Sequence, residues 1–183
     1  GAVEAVVAAM QAHAGDVALQ AQACGAIQNL ATNNQENKDK GGAAGAVEAI
    51  VEAMLAHPGD ANLQAQACGA LCCMCANSRG NTPRAGAAGA VEAVVAAMQA
   101  HAGDVALQAQ ACGAIQNLAT NNQENKDKGG AAGAVEAIVE AMLAHPGDAN
   151  LQAQACGALC CMCANSRGNT PRAGAAGAVE AVV

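Results

Sequence analysis

Four thiols fall within eight residues at Cys68, Cys72, Cys73 and Cys75, and the same four recur at Cys156, Cys160, Cys161 and Cys163. Clustered thiolates are the chemistry of soft-ion sites, for Cu(I), Zn or an iron–sulfur cluster. On a helix, though, Cys68, Cys72 and Cys75 at i, i+4 and i+7 share one face, which sets thiols in a row and not around a point. Cys24 and Cys112 occupy the place of Cys68 in their own units and stand alone there, as a small packed residue does. The thiols therefore read first as core residues, with soft-metal binding and cross-unit or inter-chain disulfides as remoter alternatives. No cofactor is called for.

The second candidate chemistry is amide recognition. Gln22, Asn29 and Asn33 lie at helical spacing around Gly25, and Gln66, Cys73 and Asn77 take the same places around Gly69. The second pair of units repeats them as Gln110, Asn117 and Asn121, then Gln154, Cys161 and Asn165. Side-chain amides carry donors and acceptors that can pair with the backbone of an extended peptide whatever its side chains. The same groups serve equally well to hydrate an open face or to tie neighbouring helices. Catalysis has no such footing. The four His (His13, His57, His101, His145) sit at one turn of each unit without a partner Ser or second His, and no Gly-rich phosphate loop follows a strand. The chain is expected not to be an enzyme.

These residues are positioned by a repeat. GAVEA begins at Gly1, Gly45, Gly89, Gly133 and Gly177, which sets the unit at 44 residues. Odd and even units differ, yet residues 1–88 and 89–176 are identical. A fixed period of this length marks a stacked array in which each unit buries its apolar stripe on the next. The chain is read as a single array of repeats 1–44, 45–88, 89–132 and 133–176 with a partial fifth, 177–183, a window of a longer array. Copies this exact point to recent amplification or to design. Val3, Val6, Val7 and Met10 form one helical stripe, and Leu19, Ala23, Ala26, Ile27 and Leu30 form a second. Gly15 permits the turn between them, Pro58 stops the even-unit helix, and Asp16 or Asp60 caps the longer helix that follows. The connections to the next unit predict a short third helix, with Thr82 as N-cap ahead of Pro83 at the first helical position in even units.

Apolar residues make up 53% of the chain, but Phe, Tyr and Trp are absent, so the core is assembled from Ala, Val, Leu, Ile, Met and Cys. The net charge of −7 argues against nucleic acid, which needs clustered Lys and Arg. Lys38, Lys40, Arg79, Arg84 and their copies all lie in the connections and read as solvated loop charges. No run approaches the ~20 apolar residues of a membrane span. With no Asn-x-Ser/Thr acceptor, the sequence leans slightly toward the cytoplasm while leaving localisation open.

A unit of this length resembles an armadillo repeat: a glycine before a VEAVVAAM-type helix, a turn, then a longer helix ending Ala-Ile-Gln-Asn-Leu-Ala. The likeness covers all four units and the fragment, with two-helix HEAT repeats as the nearest rival. It implies an all-α, right-handed α-solenoid whose third helices line a concave, peptide-binding groove. On that pattern Asn29 and Asn117 match the family's ladder asparagine, whereas Cys73 and Cys161 stand there in even units. Gly25, Gly69, Gly113 and Gly157 replace the family's groove Trp, so cargo of the import-receptor type is not expected. Two functions remain. One is a structural solenoid that builds a rod or filament by end-to-end self-association. The other is an armadillo-type scaffold for a protein or extended peptide. Aromatic anchors, which dominate most binding sites, are lacking, and this favours the first.

Overall fold

Each repeat folds into three helices, and the sequence sets where each begins. In the first unit these are α1 (Ala2–Ala12), α2 (Val17–Ala31) and α3 (Gln35–Ala43). The second holds α4 (Ala46–Ala56), α5 (Ala61–Cys75) and α6 (Asn81–Ala87); the third, α7 (Ala90–Ala100), α8 (Val105–Ala119) and α9 (Gln123–Ala132). α10 (Ala134–Ala144), α11 (Ala149–Cys163) and α12 (Asn169–Ala175) follow, and α13 (Ala178–Val182) opens a fifth unit. This computed structural model describes residues 1–182, among which there is no strand.

Each long helix starts on an aspartate whose carboxylate accepts from a backbone N–H three residues on: Asp16 Oδ1 from Leu19 at 3.0 Å, Asp60 Oδ1 from Leu63 at 2.8 Å. That satisfies one of the orphan donors of the first turn. Gly45, Gly89, Gly133 and Gly177 hold φ near +84° between the short helix and the next unit's first helix, a left-handed conformation that β-carbon-bearing residues resist. The glycine of GAVEA is therefore a stereochemical requirement of the junction.

Like packs on like. The long helices α2, α5, α8 and α11 form one continuous ladder with the most extensive contacts, and the first helices and short helices form two parallel ladders beside it. Substantial contacts join helices only within a unit or between adjoining units, so the array is an α-solenoid with no common centre. The sharing of the core shows in equivalent residues. Leu107, Ala114 and Leu118 of α8 are fully buried, while their counterparts Leu19, Ala26 and Leu30 of α2, with no unit before them, are half-exposed. An apolar stripe here is completed by its neighbour and not by its own unit.

The connections depart from expectation. Thr82 is not an N-cap: α6 begins at Asn81, Ser78 Oγ accepts from the Asn81 N–H at 3.2 Å, and Thr82 Oγ1 donates to Cys75 O. Nor are all the connection charges solvated. Lys38 is buried and donates to Ala76 O at 2.7 Å, and Lys126 donates to Ala164 O at 2.6 Å. Each ammonium satisfies the C-cap carbonyl of the next unit's long helix, where a positive charge is favoured. A lysine stem long enough to cross one repeat does the work of a cap.

Candidate functional site

The candidate residues belong to the long helices, the second of three in each unit, and to the turns just past them, with Thr82 and Pro83 of the short helix α6 beside them. Six of the twelve candidate residues line two hollows. Gln22, Gly25, Asn29 and Gln66 line an open cleft of about 410 Å³ together with Asn62. Asn77, Asn117 and Asn121 line another of about 610 Å³ with Arg79 and Thr120. Asn33 and Asn165, like Asn77 and Asn121, sit in left-handed backbone with φ between 53° and 58° just past the helix end. Asparagine is among the few residues with a β-carbon that tolerate this conformation. Turn geometry alone accounts for asparagine at that position.

Several of the remaining amides are occupied by neighbouring repeats. Asn117 donates to Cys72 O at 2.9 Å and lies 3.3 Å from Cys72 Sγ, joining α8 to α5. A β-carbon on Gly69 would fall 2.6 Å from Gln28 Oε1, and one on Gly157 as close to Gln116 Oε1. Gln66 and Gln154 lie over Gly25 and Gly113 in the same way, so Gly25 and Gly113 admit the next repeat's glutamine and Gly69 and Gly157 the preceding repeat's. Gln110 is half-buried on the same face.

Odd and even units differ because two kinds of junction alternate. From odd to even, Gln28 covers Gly69 and Thr32 meets Cys73 at 3.5 Å, as Thr120 meets Cys161. From even to odd, Cys72 covers Gly113 and receives Asn117. Position 28 of the unit thus alternates between an amide and a thiol, and its partner alternates with it. The 88-residue pair, and not the 44-residue unit, is the true module.

All ten thiols are free. Cys24, Cys68 and Cys112 are fully buried in successive long helices, and Cys75 is buried beside Thr82. Among the described residues, no three His, Cys, Asp or Glu side chains converge as metal ligands would. Burial pushes Cys24, Cys75 and Cys112 up to about 12 and Cys72 up to about 11 from an ordinary 9.0, and raises Cys68 further. The consequence has a definite sign. The folded-state pKa values are raised, so the stability held by these neutral thiols is fully present below pH 9 and is lost as pH rises from about 9 to about 12. Urea midpoints should be flat between pH 7 and 8.5 and fall progressively above 9. A Cys→Ala variant at positions 24, 68 and 112 should show a shallower fall.

Three ladders were missed by pattern reading. Asn81, Asn125 and Asn169 each donate twice through Nδ2: to the carbonyl seven residues back (Met74, Leu118, Met162) and to one in the preceding unit (Lys38, Thr82, Lys126), at 2.9–3.2 Å. This buried series, and not Asn29 and Asn117, is the regular asparagine ladder of the array. His57, His101 and His145 place Nε2 2.9 Å from the turn carbonyls of Ala14, Pro58 and Ala102. A carbonyl only accepts, so Nε2 carries the proton. Gln20, Gln64, Gln108 and Gln152 each donate to two C-terminal carbonyls of their own unit's first helix.

No family model and no curated protein matches the chain. Two crystal structures, both of engineered proteins, resemble it closely. One aligns with a TM-score of 0.85 at 30% identity over 99% of this chain and 72% of its own; the other with 0.84 at 25% identity over 99% and 70%. Neither description names a ligand or an activity.

Proposed function

We propose that this chain, a member of one family with the first of those engineered proteins, is a non-catalytic structural solenoid of armadillo type that extends by end-to-end self-association into a rod. The carrying observation is that the faces α2 and α11 leave open in this structure are, residue for residue, the two halves of the internal α5–α8 junction. α11 presents the side chains that α5 buries under α8, and α2 presents those that α8 buries on α5. An interface whose two halves lie on opposite ends of one molecule is heterologous, and when its rotation does not close it grows a filament. The absence of aromatic side chains and the use of Asn117, Gln28 and Gln66 between repeats further support structure over recognition.

Electron micrographs and sedimentation across a concentration series test this. Rods of uniform width and variable length, lengthening with concentration, are expected. A monodisperse species at every concentration that instead retains an extended peptide in the Gln22–Asn29 cleft would replace this reading with that of a peptide scaffold.

A further inference from the structure

We infer that the cleft between α5–α6 and α8–α9 binds a small zwitterion, with its ammonium on Thr120 O and its carboxylate on the Arg79 guanidinium.

The cleft lies where one kind of junction lacks a lysine that the other has. From odd to even units, a lysine of the short helix crosses the repeat and caps the following long helix. Lys38 Nζ is 2.7 Å from Ala76 O, and Lys126 Nζ is 2.6 Å from Ala164 O. From even to odd, Thr82 takes the place of Lys38, and its Oγ1 donates back to Cys75 O at 3.2 Å. Thr120, the C-cap of α8, takes the place of Ala76, and its carbonyl accepts no hydrogen bond among the described residues. Thr82 and Thr120 face an open cleft of about 610 Å³, within the range of roughly 300–1,000 Å³ usual for small-molecule sites. A carbonyl at a helix C-terminus sits at the negative end of the helix dipole and selects a cation. The array itself shows which cation fits, since two of its junctions hold a primary ammonium there.

A second observation supplies the other end of the ligand. Six of the eight Lys and Arg have partners: Lys38 and Lys126 cap carbonyls, Lys40 and Lys128 pair with Glu36 and Glu124, and Arg84 and Arg172 with Glu48 and Glu136. Among the described residues, Arg79 and its copy Arg167 make no ion pair. Arg79 is exposed on the wall of the cleft, and no carboxylate lines that wall. An ammonium alone would face this charge uncompensated, whereas a carboxylate on the same molecule matches the guanidinium fork. Ser78 lies on the same wall and is 4% exposed. Its Oγ accepts from the Asn81 N–H at 3.2 Å and keeps its own proton to donate to an anion. The two differences between linkers travel together: Lys38 goes with Gln35, whose amide is spent on Asp39, and Thr82 goes with Arg79. The site therefore belongs to the even-to-odd junction inside the array, whether or not copies associate.

Isothermal titration of the full chain under reducing conditions tests this with γ-aminobutyrate and ε-aminohexanoate, each against the alkylammonium and the carboxylate of the same length. One of the aminocarboxylates should bind about tenfold more tightly than either single-ended probe. Arg79→Gln, which places the odd-unit residue at an exposed position, should lower that affinity about tenfold, to the level of the alkylammonium. Thr82→Lys should remove binding of every probe and raise the urea midpoint, because the lysine then caps Thr120 O. The Arg79→Gln result is read independently of any disturbance that Thr82→Lys brings to α6. Equal affinity of the aminocarboxylate and the alkylammonium overturns the role given to Arg79. Binding that survives Thr82→Lys in a folded chain overturns the placement on Thr120 O, and no binding by any probe overturns the site.

Discussion

Asn125→Ala should destabilise the array by about 2–4 kcal/mol, whereas Asn37→Ala should cost about 1 kcal/mol or less. The two asparagines occupy one position of identical 88-residue copies, so their intrinsic helix preference and local sequence are equal. What differs is the unit before them. Asn125 is buried and its Nδ2 donates both to Leu118 O at 2.9 Å and across the junction to Thr82 O at 3.2 Å. Alanine leaves two carbonyls without that donor in a site closed to water, together with a small void. Leaving buried groups unsatisfied costs more than the bond itself contributes. Asn37 has no preceding unit, is half-exposed and donates only to Leu30 O, which water can reach once the amide is gone. Urea denaturation of the two variants in dilute solution measures the difference directly. Equal losses would mean that the cross-unit bond contributes nothing. The loss at position 125 should also appear as faster amide exchange at the α6–α9 junction before it appears elsewhere, since the array's stability is a sum of neighbour terms.

The architecture was legible because the repeat states it several times over. The stripes through Val3, Val7 and Met10 and through Ala23 and Ile27 fall where burial falls, and Asp16 and Asp60 cap as their chemistry requires. The connections were harder. Odd and even linkers look unrelated, and a search for periodicity sees only polar residues in both. Yet they agree at three informative places: Asn33 with Asn77, Asn37 with Asn81, and Gly42 with Gly86. Each agreement has a separate physical cause, namely a left-handed turn, a two-carbonyl bridge, and room for the next unit's amide. Comparing the two unit types with each other, position by position, would have singled out these residues. Lys38 left no such trace, because its role depends on the distance from one linker to the next helix's end, and that distance exists only in the folded stack. The same holds for the candidate face. Gln22, Asn29 and Gln66 line one cleft, but spacing did not reveal that Asn117 would be spent on an adjacent helix or that Gln28 would lie over Gly69.

Gly86→Ala and Gly174→Ala should move stability in opposite directions, although the same substitution is made in the same seven-residue helix, NTPRAGA. At Gly86 an added β-carbon collides with Asn125 Oδ1, which the next unit's asparagine presses against the helix. The amide cannot retreat without releasing Thr82 O and Leu118 O, so strain and lost hydrogen bonds act together, and about 2–4 kcal/mol of destabilisation is expected. At Gly174 nothing lies within 4 Å of the same β-carbon. There alanine only restricts the unfolded chain and improves helix propensity, which should stabilise by roughly 0.5–1 kcal/mol. Chemical denaturation of dilute protein distinguishes the signs without reference to any absolute value. Two losses of similar size would place the requirement for glycine within the short helix itself. Opposite signs would place it in the contact with the following repeat.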